Sequence, residues 1–380
     1  MKKIVILLLL CLWSLPNLAE ASEARTVKIT ETTPVFNEKQ KVAVFQKGTT
    51  HTALKESDRF YHTVIGNEEV KFSKMRAVVV NSEPQNLKGS HPVRLKTVKT
   101  AEILEKPSVK AKAIGSIQAN IMIQAQHQKG NYFPIVIGGS TGYIHKSMVQ
   151  IEMGIPVLTY HDIVLTKTDQ NVSKLELAKF QEQMEYLKRN HWTTITPAEL
   201  ELWVQKKKTL PKKSVLITFD DGYKSTIDLA YPVLKQHGLQ ATSFLITSRI
   251  NRPGMVSEED LIRTQDVYSY QNHTHAFHLF NSKTNLSYLQ SESQEAIFLD
   301  ILQANRSIES ILGTNVIAHA YPYGKRGPQA VRALKAAGIT SAYTIEEGNV
   351  FQGDSLYSLN RQRVHSGMSL KDFANKLEGK

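Results

Sequence analysis

From residue 155 onward, short apolar runs alternate with segments of helical periodicity. Residues 156–160 (PVLTY) and 215–219 (VLITF) are apolar over nearly their whole length, which is typical of strands buried on both faces. Between them, 174–190 places its apolar residues on one helical face, and 292–313 is a longer helical segment that ends at a glycine. Further strands are predicted at 241–247, 316–321 and 341–345, and further helices at 226–238 and 328–338. Strands that alternate with helices predict βαβ units, and so an α/β domain with a parallel sheet or barrel over residues 155–380.

Residues 25–151 have a different character, because short β-prone runs, at 25–30, 42–45, 61–65 and 75–80, are separated by polar turns. Such spacing predicts small all-β barrels or sandwiches. Segment 60–75 resembles segment 131–148, and the matching residues lie 72 positions apart: Tyr61, Val64, Ile65, Gly66 and Lys74 recur as Phe133, Val136, Ile137, Gly138 and Lys146. Pro, Gly, Ser and Asn at 81–91 favour a linker. The pattern therefore predicts two modules, at 25–82 and 91–151.

This layout resembles tandem bacterial SH3-like modules, which are small all-β barrels that commonly bind cell-wall peptides or glycans. The resemblance implies a cell-wall glycan or peptide as a binding partner. β spacer domains without a ligand remain the alternative.

The first residues are typical of a secretory signal peptide. Two lysines precede an unbroken apolar run at 4–10, and an Ala-Glu-Ala cleavage pattern ends at Ala21. The run is shorter than the roughly 20 residues that span a bilayer. We therefore predict a signal peptide over residues 1–21 and a secreted protein. A retained anchor and a lipoprotein are the alternatives, although Leu10 is not the small residue expected before a lipidated Cys11.

Charge and cysteine content narrow the range of partners. Removal of residues 1–21 takes away the only cysteine, two lysines and one glutamate, so the net charge of +12 becomes +11. A basic excess favours an anionic surface such as a phosphate-rich cell wall. Secretion argues against nucleic acid, and no second apolar stretch of membrane length is present. We expect a protein associated with the cell wall, with no nucleic-acid partner and no membrane span after signal cleavage.

Asp220 and Asp221 directly follow the buried strand at 215–219. In barrels of this kind the chemistry gathers at the carboxyl ends of the strands. Neighbouring strand residues point to opposite sides, so the two carboxylates are expected to have different roles. One could ligate a metal while the other lies beside a water. A turn with helix-capping aspartates before Gly222 is the structural alternative.

Three histidines fall within six residues at the end of another predicted strand, 266–272. They are His273, His275 and His278. A lone histidine is usually structural, but three beside a strand end, in a chain with Asp-Asp-Gly at another, favour a metal site.

The Thr-Phe-Asp-Asp-Gly motif at 218–222, the histidine motif and Ala-Tyr-Pro-Tyr-Gly at 320–324 together resemble the NodB-type polysaccharide deacetylases, carbohydrate esterase family 4. The likeness covers about residues 155–370. It implies a distorted (β/α) barrel of the NodB type and a metal-dependent N-deacetylase. The four-residue gap between His273 and His278 resembles the subgroup that acts on poly-N-acetylglucosamine.

The resemblance implies that Asp221, His273 and His278 ligate a divalent metal, and that His275 is an exposed or packing residue. Two histidines and one carboxylate suit Zn²⁺ and leave a position open for water and substrate. Co²⁺ or Ni²⁺ could use the same ligands.

The resemblance also implies the roles of the surrounding residues. Asp220 would act as the general base, and a backbone N–H in the Pro322-Tyr323 motif would stabilise the oxyanion. His161, at the end of the strand 156–160, is the candidate general acid, and Asp162 would orient it or bind sugar. His365 is the less favoured candidate for the general acid.

This chain departs from the family pattern at residue 320 and at that residue's partner. Many relatives carry an arginine where this chain has Ala320, paired with an aspartate for which this chain offers no clear match. The absence of both residues does not imply an inactive enzyme, because one charge left without its partner would destabilise the protein more than the loss of both. Arg361 or Arg363 is a candidate to orient Asp220 instead.

Three functions follow as hypotheses. The first is a secreted N-deacetylase of an N-acetylglucosamine polymer, with peptidoglycan, poly-N-acetylglucosamine and chitin all open as substrates. The second is a non-catalytic wall-binding protein with an inert deacetylase domain. The third is a glycoside hydrolase that uses Asp220 with another carboxylate, although the histidines are surplus to that chemistry.

Overall fold

The computed structural model describes residues 24–66, 68–80, 93–137, 140–167 and 169–379. The predicted signal peptide and the predicted linker at 81–91 lie outside the described residues. The chain divides into two compact units, residues 1–152 and 153–380. This division falls between the predicted second β module and the predicted catalytic domain, and the boundaries of the two β modules remain a prediction.

The strands in the described part of the first unit form two similar copies, of eight and seven strands. The first copy comprises β1 Arg25–Ile29, β2 Thr33–Phe36, β3 Lys41–Phe45, β4 Thr50–Ala53, β5 Lys55–Glu56, β6 Phe60–Ile65, β7 Glu68–Ser73 and β8 Ala77–Val79. The second comprises β9 Val93–Thr97, β10 Ala101–Leu104, β11 Ala113–Ile117, β12 Met122–Ala125, β13 Tyr132–Ile137, β14 Ser140–His145 and β15 Val149–Glu152. Strands β3 and β11 begin at 41 and 113, so the repeat of 72 residues seen in the sequence extends to the secondary structure.

The two copies share one sheet and one core. Strand β3 pairs antiparallel with its own counterpart β11, and β6 meets its counterpart β13 at Ile65 and Ile137. The result is a nine-stranded sheet that contains strands of both copies. Buried side chains of both copies, among them Phe45, Phe72 and Phe133, belong to one hydrophobic cluster.

Gly66 shows why the repeated motif carries a glycine. Its φ is 60°, and a Cβ at this position would lie 2.6 Å from the backbone nitrogen of Gln124 in the other copy. Only glycine accepts both the left-handed conformation and the close approach. Its counterpart Gly138 lies outside the described residues.

The second unit alternates strands and helices as predicted. Its strands are β16 Val157–Tyr160, β17 Asp162–Val164, β18 Lys174–Glu176, β19 Thr193–Thr194, β20 Ser214–Asp221, β21 Ala241–Leu245, β22 Tyr268–Asn272, β23 Ala318–Ala320, β24 Ser341–Glu347 and β25 Leu359–Arg363. Its helices are α1 Leu177–Arg189, α2 Pro197–Val204, α3 Tyr231–His237, α4 Glu258–Arg263, α5 Tyr288–Ser291, α6 Gln294–Leu312, α7 Pro328–Ala336 and α8 Leu370–Leu377.

Seven parallel strands close into a barrel. The order runs β16-β25-β24-β23-β22-β21-β20, and β16 pairs with both β25 and β20, which closes the ring. All these pairings are parallel, so the carboxyl ends of the seven strands meet at one edge. Closure therefore brings the ends of β16, β20 and β22 together, although they are far apart in the sequence.

Alternation along β20 decides which of its side chains face the barrel interior. Phe219 belongs to the cluster that packs against the helices, whereas Leu216 belongs to the cluster that includes Phe244 and Tyr343. A strand has a side-chain period of two, so Asp220 shares the face of Leu216 and points into the barrel.

Three predicted elements differ from the observed ones. The helix predicted from 174 begins at Leu177, because residues 174–176 pair with β17 as strand β18. The helix predicted from 226 begins with a π-helical turn, Thr226–Ala230, before α3. The strand predicted at 75–80 begins only at Ala77, because the Ser73 side chain accepts a hydrogen bond from Met75 N and starts a short 3₁₀ turn.

Across the part of the chain that the structure describes, we find no helix with the length and apolar character needed to cross a membrane.

His51 is expected to make the stability of the first unit depend on pH. Its side chain is buried, its ring stacks on Phe45 at 3.8 Å, and burial lowers its pKa to about 3. The folded state therefore resists a proton that the unfolded state accepts below about pH 6.5. Stability from this group is present above that pH and falls as the pH drops toward 3, by about 1.4 kcal/mol per pH unit.

Replacing His51 by Gln removes this titration. We expect that between pH 7 and pH 5 the wild-type chain loses about 2 kcal/mol more stability than His51→Gln. The free energy of opening can be measured by hydrogen exchange of the amides in residues 24–66. Equal losses in the two proteins would show that another group controls the acid sensitivity.

Candidate metal and catalytic site

A cavity of about 540 Å³ lies at the carboxyl edge of the barrel. It is lined by Thr159, His161, Asn171, Ser173, Asp220, Asp221, Tyr223, His273, His278, Tyr323, Ile345, Glu347, Arg361 and Arg363. The cavity therefore brings together eight residues singled out from the sequence: His161, Asp220, Asp221, His273, His278, Tyr323, Arg361 and Arg363.

Asp221, His273 and His278 form a cluster that could hold a metal ion. One ligand atom from each residue lies within 4.8 Å of the other two. Oδ1 of Asp221 is 3.5 Å from Nε2 of His273 and 3.3 Å from Nε2 of His278. That oxygen is buried and has no hydrogen-bond partner among the described residues, so a cation would supply the missing partner. A carboxylate and two imidazoles are ligands that suit zinc, and the residues present fit such an ion.

The tautomer of His273 suits a metal ligand. Its Nδ1 lies 2.7 Å from the carbonyl oxygen of Ala320, which can only accept a hydrogen bond. When the ring is neutral, Nδ1 therefore carries the proton and the lone pair of Nε2 faces Asp221. A backbone carbonyl of this kind commonly orients a metal-binding histidine.

A backbone distortion allows both neighbouring carboxylates to face one cavity. The alternation of the strand would send Asp221 to the side opposite Asp220. Asp221 instead has a φ of 76°, in the left-handed region, which ends the regular alternation. The sequence-based expectation of different roles still agrees with their contacts, because Asp220 faces Arg361 and Asp221 faces the two histidines.

Asp220 is held by Arg361, one of the two arginines proposed from the sequence. Nη1 and Nη2 of Arg361 donate to the two carboxylate oxygens at 2.8 and 2.7 Å. Both side chains are buried, with exposures of 1% for Arg361 and 4% for Asp220. Nε of Arg361 donates to the carbonyl of Thr344 at 2.7 Å. The other candidate, Arg363, donates to Ser173 Oγ instead.

The pKa shifts leave Asp220 charged and His278 neutral. Burial would raise the pKa of Asp220, but the charges of Arg361 and His273 outweigh it and hold that pKa below its usual range. Burial would lower the pKa of His273, but the carboxylates of Asp220 and Asp221 raise it. Burial lowers the pKa of His278 to about 4, and the neighbouring His273 acts in the same direction. A neutral His278 can offer a lone pair to a cation.

His161 lines the cavity at the end of β16. Burial holds its pKa below the usual range, against the opposing effect of the Asp220 and Asp221 carboxylates. Its Nδ1 is buried without a hydrogen-bond partner in the described part of the chain. The imidazole is therefore placed where it could exchange a proton with a bound molecule.

Tyr323 lines the cavity opposite the barrel strands. It occupies a left-handed conformation with a φ of 58° inside the turn Pro322–Gly324. Its ring lies 4.5 Å from that of His278 and 4.4 Å from that of Phe280. The turn thus presents an aromatic face to the site.

Three other residues selected from the sequence are not brought to the cavity. Among the residues that the structure describes, neither Asp162, Pro322 nor His365 lines it. Asp162 accepts a hydrogen bond from Ser225 Oγ at 2.7 Å, which gives it a partner in the neighbouring turn. Pro322 is buried at the start of the turn that holds Tyr323.

His275 is held away from the cluster, as the packing interpretation proposed. Its Nδ1 lies 2.9 Å from Thr247 Oγ1 and its Nε2 lies 3.0 Å from Gln303 Nε2. The backbone amides of His275 and Ala276 donate to the carboxylate of Asp300 at 2.9 and 2.8 Å. Asp300 thereby fixes the loop between the two metal-site histidines.

Sequence reasoning missed Asp300 and His319. Asp300 sits on the buried face of α6 with Ile297 and Ile301, and an acidic residue at such a position was the available signal. His319 is fully buried, and its Nδ1 lies 2.9 Å from Oδ1 of Asn272, the residue before His273. No sequence spacing links His319 to Asn272, since they meet only when β22 pairs with β23.

The fold and the site together define a parallel (β/α) barrel with an Asp-His-His cluster beside a buried, ionised carboxylate. A family model described as polysaccharide deacetylase matches residues 207–342. The chain is 30% identical over 225 residues to a Bacillus subtilis (strain 168) protein provisionally named polysaccharide deacetylase YxkH. That match covers 59% of this chain and 76% of the Bacillus protein. The chain therefore belongs to the polysaccharide deacetylase family.

Three further proteins are similar to this chain. The chain is 29% identical over 191 residues to the poly-beta-1,6-N-acetyl-D-glucosamine N-deacetylase of Staphylococcus aureus (strain MSSA476). This match covers 48% of this chain and 65% of that protein. The fold is similar to that of Streptococcus pyogenes deacetylase PplD in complex with acetate, with a TM-score of 0.54 and 24% identity. The match covers 59% of this chain and 98% of the other chain. It is also similar to that of IcaB from Ammonifex degensii, with a TM-score of 0.53 and 24% identity. This match covers 60% of this chain and 96% of the other chain.

The pair Asp220–Arg361 is expected to control the stability of the barrel. Arg361→Met leaves a buried carboxylate without its partner, which we expect to lower the free energy of unfolding by about 3–5 kcal/mol. The double variant Asp220→Asn/Arg361→Met removes both charges and should be more stable than Arg361→Met alone. Urea unfolding of the four proteins of this cycle measures the coupling.

The exposed pair Lys235–Asp266, at 2.9 Å, provides the control. Asp266→Asn is expected to change the free energy of unfolding far less, because solvent screens that pair. A loss for Arg361→Met no greater than that for Asp266→Asn would contradict the proposed importance of the buried pair.

Proposed function

We propose that this chain is a metal-dependent N-deacetylase that hydrolyses acetamide groups of a polysaccharide containing N-acetylglucosamine. One observation carries the proposal: Asp221, His273 and His278 cluster within 4.8 Å in the same cavity as Asp220. Such a cluster beside an ionised carboxylate offers a ligand set and a base for amide hydrolysis.

The metal would be held by Oδ1 of Asp221 and by Nε2 of His273 and of His278. Zn²⁺ is the best match for this ligand set, and Co²⁺ or Ni²⁺ could replace it. When bound, a divalent cation supplies Lewis acidity, which polarises an amide carbonyl and lowers the pKa of water from about 15.7 toward 7.

Asp220 would take the proton from the attacking water. Arg361 keeps this carboxylate ionised and fixes both of its oxygens in place. A positioned base typically contributes about 10²- to 10⁴-fold to the rate. The hydrogen bonds to Arg361 also limit rotation of the carboxylate, so its orientation is set before the substrate binds.

Tyr323 and His161 would complete the reaction. The backbone N–H of Tyr323 would stabilise the oxyanion, and the left-handed turn after Pro322 sets the direction of that amide. His161 would protonate the leaving amine. At neutral pH burial keeps His161 uncharged, so it must first gain the proton that Asp220 removes from water. The Asp162 side chain accepts a hydrogen bond from Ser225, so Asp162 would influence His161 only as its neighbour along the backbone.

The substrate would be an N-acetylglucosamine polymer at the cell surface, either a wall polysaccharide or an exopolysaccharide. The match to a staphylococcal poly-beta-1,6-N-acetyl-D-glucosamine N-deacetylase supports this substrate class. A secreted location follows from the signal-peptide pattern at residues 1–21. The repeated β modules would be SH3-like barrels that bind wall glycan or peptide.

The two alternative functions are less well supported. An inert deacetylase domain would have no need for a complete set of Asp220, Asp221, His273 and His278. A glycoside hydrolase would require a second free carboxylate, but Glu347 in the cavity wall is paired with Lys376 at 2.6 Å.

Removal of the metal is expected to abolish activity reversibly. We expect acetate release from N-acetylglucosamine oligomers to fall to background in a strong chelator and to return when Zn²⁺ is added. Asp221→Asn should stay inactive after the same addition, because it removes a ligand. Oligomer length should not change, and shortened products would favour a glycoside hydrolase. Acetate release that persists in chelator would refute metal dependence.

The proton donor can be identified by replacing each candidate histidine. His161→Asn is expected to lower kcat by about 10²- to 10⁴-fold. His365→Gln should keep most of the activity, because among the described residues His365 does not line the cavity. Steady-state kinetics of acetate release measures both. A greater loss in His365→Gln than in His161→Asn would reverse the assignment.

A further inference from the structure

A second cavity, of about 520 Å³, adjoins the first at the carboxyl edge of the barrel. Tyr323 and Ile345 line both cavities, so the two form one path across the surface. A polymer whose reacting sugar occupies the first cavity would place a neighbouring sugar in the second. The chemistry of the second cavity therefore bears on which polymer can bind.

The wall between the cavities is held in place by close packing. Gly324 has a φ of 66°, and a Cβ there would lie 2.8 Å from the backbone nitrogen of Ile345. The Tyr323 ring is packed on Phe280 at 4.4 Å. Lys325 follows this turn directly, so its backbone position relative to the first cavity is well defined.

The charges around the second cavity do not balance. Arg326 lies 3.4 Å from Glu346 and stands over the Tyr321 ring. Lys325 also lines the cavity and is exposed. No ion pair or hydrogen bond of the Lys325 side chain is found among the described residues. One positive charge is therefore in surplus beside the path of the polymer.

The first cavity does not offset this surplus. Its Asp220 is neutralised by Arg361, and its Glu347 is paired with Lys376. Asp221 would be neutralised by the cation that it helps to hold. A sugar in the second cavity thus meets a positive potential, which attracts anionic groups and repels the glucosammonium that deacetylation produces.

From this charge pattern we infer that the second cavity is a subsite for an anionic group, a carboxylate or a phosphate, on the sugar next to the one that is deacetylated. The inference rests on the proposed function and narrows its substrate class. Anionic glycans are bound in preference to neutral ones, and neutral ones in preference to polymers that are already partly deacetylated.

The test compares substrates of equal length that differ in charge. The first is a neutral N-acetylglucosamine oligomer, and the second carries a lactyl carboxylate on alternate sugars. A third carries phosphate, and a fourth is partly deacetylated. For the wild-type chain we expect KM to be about three- to fivefold lower for an anionic oligomer than for the neutral one, with similar kcat. The two anionic oligomers distinguish carboxylate from phosphate.

Lys325 variants show whether this residue is responsible. Lys325→Gln should remove the preference for anionic over neutral oligomers, whereas Lys325→Arg should keep it. Lys212→Gln is the control, because Lys212 precedes β20 at the opposite end of the barrel. The preference should also weaken as the salt concentration rises. A preference that survives in Lys325→Gln, or an equal KM for all four oligomers, would overturn the inference.

Calorimetric binding in the presence of chelator separates this inference from the proposed function. If no oligomer releases acetate but the anionic ones bind more tightly, and this difference requires Lys325, the deacetylase proposal is refuted and the subsite is kept. Acetate release without any effect of Lys325 on affinity or KM would refute the subsite and keep the deacetylase.

Discussion

The site depends on an ion pair inside the barrel. Asp220 and Arg361 are both almost fully buried, and two charges removed from water are stable together only when their geometry is good and their other donors are satisfied. Both conditions are met, since the pair is bidentate and Nε of Arg361 has the Thr344 carbonyl as acceptor. The pair joins β20 to β25, which do not pair with each other but lie on either side of β16. It therefore keeps Asp220 charged and also couples the site to closure of the barrel.

Backbone strain is concentrated around the same cavity. Asp221, Thr274 and Tyr323 all have positive φ values, 76°, 74° and 58°, and for a β-branched threonine this conformation is rare. Such strain persists only where the surroundings impose it. Around Thr274 the cause is visible, because its amide donates to Asn272 Oδ1 at 2.7 Å, and the same oxygen is 2.9 Å from Nδ1 of His319. Among the described residues, His319 makes no hydrogen bond to a proposed metal ligand. Through Asn272 it nevertheless fixes the segment that carries His273.

Local sequence signals predicted the alternation of strands and helices and placed several site residues at strand ends, whereas the choice of a barrel and the roles of these residues came from the family resemblance. The supporting contacts followed from neither. Asp220, Asp221 and His273 could be placed at strand ends because the preceding runs are apolar and the side-chain period is regular. Strand β25, Leu359–Arg363, lacks such a run, and its Arg361 is buried only because Asp220 meets it across the barrel. Ala320 shows a related limit: the sequence offered both Arg361 and Arg363 in place of the missing arginine, but only the folded contacts show that Arg361 holds Asp220. The left-handed turn at Asp221 was also hidden, because aspartate is compatible with both strand and turn.

The first unit shows how a sequence repeat can become one folded body. Two separate modules would each expose the edge of strand β3 or of its counterpart β11, and exposed edges invite association with other chains. Here each edge is covered by the other copy, and the antiparallel pairing of equivalent strands is what a two-fold relation between the copies requires. Gly66 permits the close contact with Gln124 that this arrangement needs. A binding surface on this unit would therefore draw on both copies, since they share one sheet and one hydrophobic cluster.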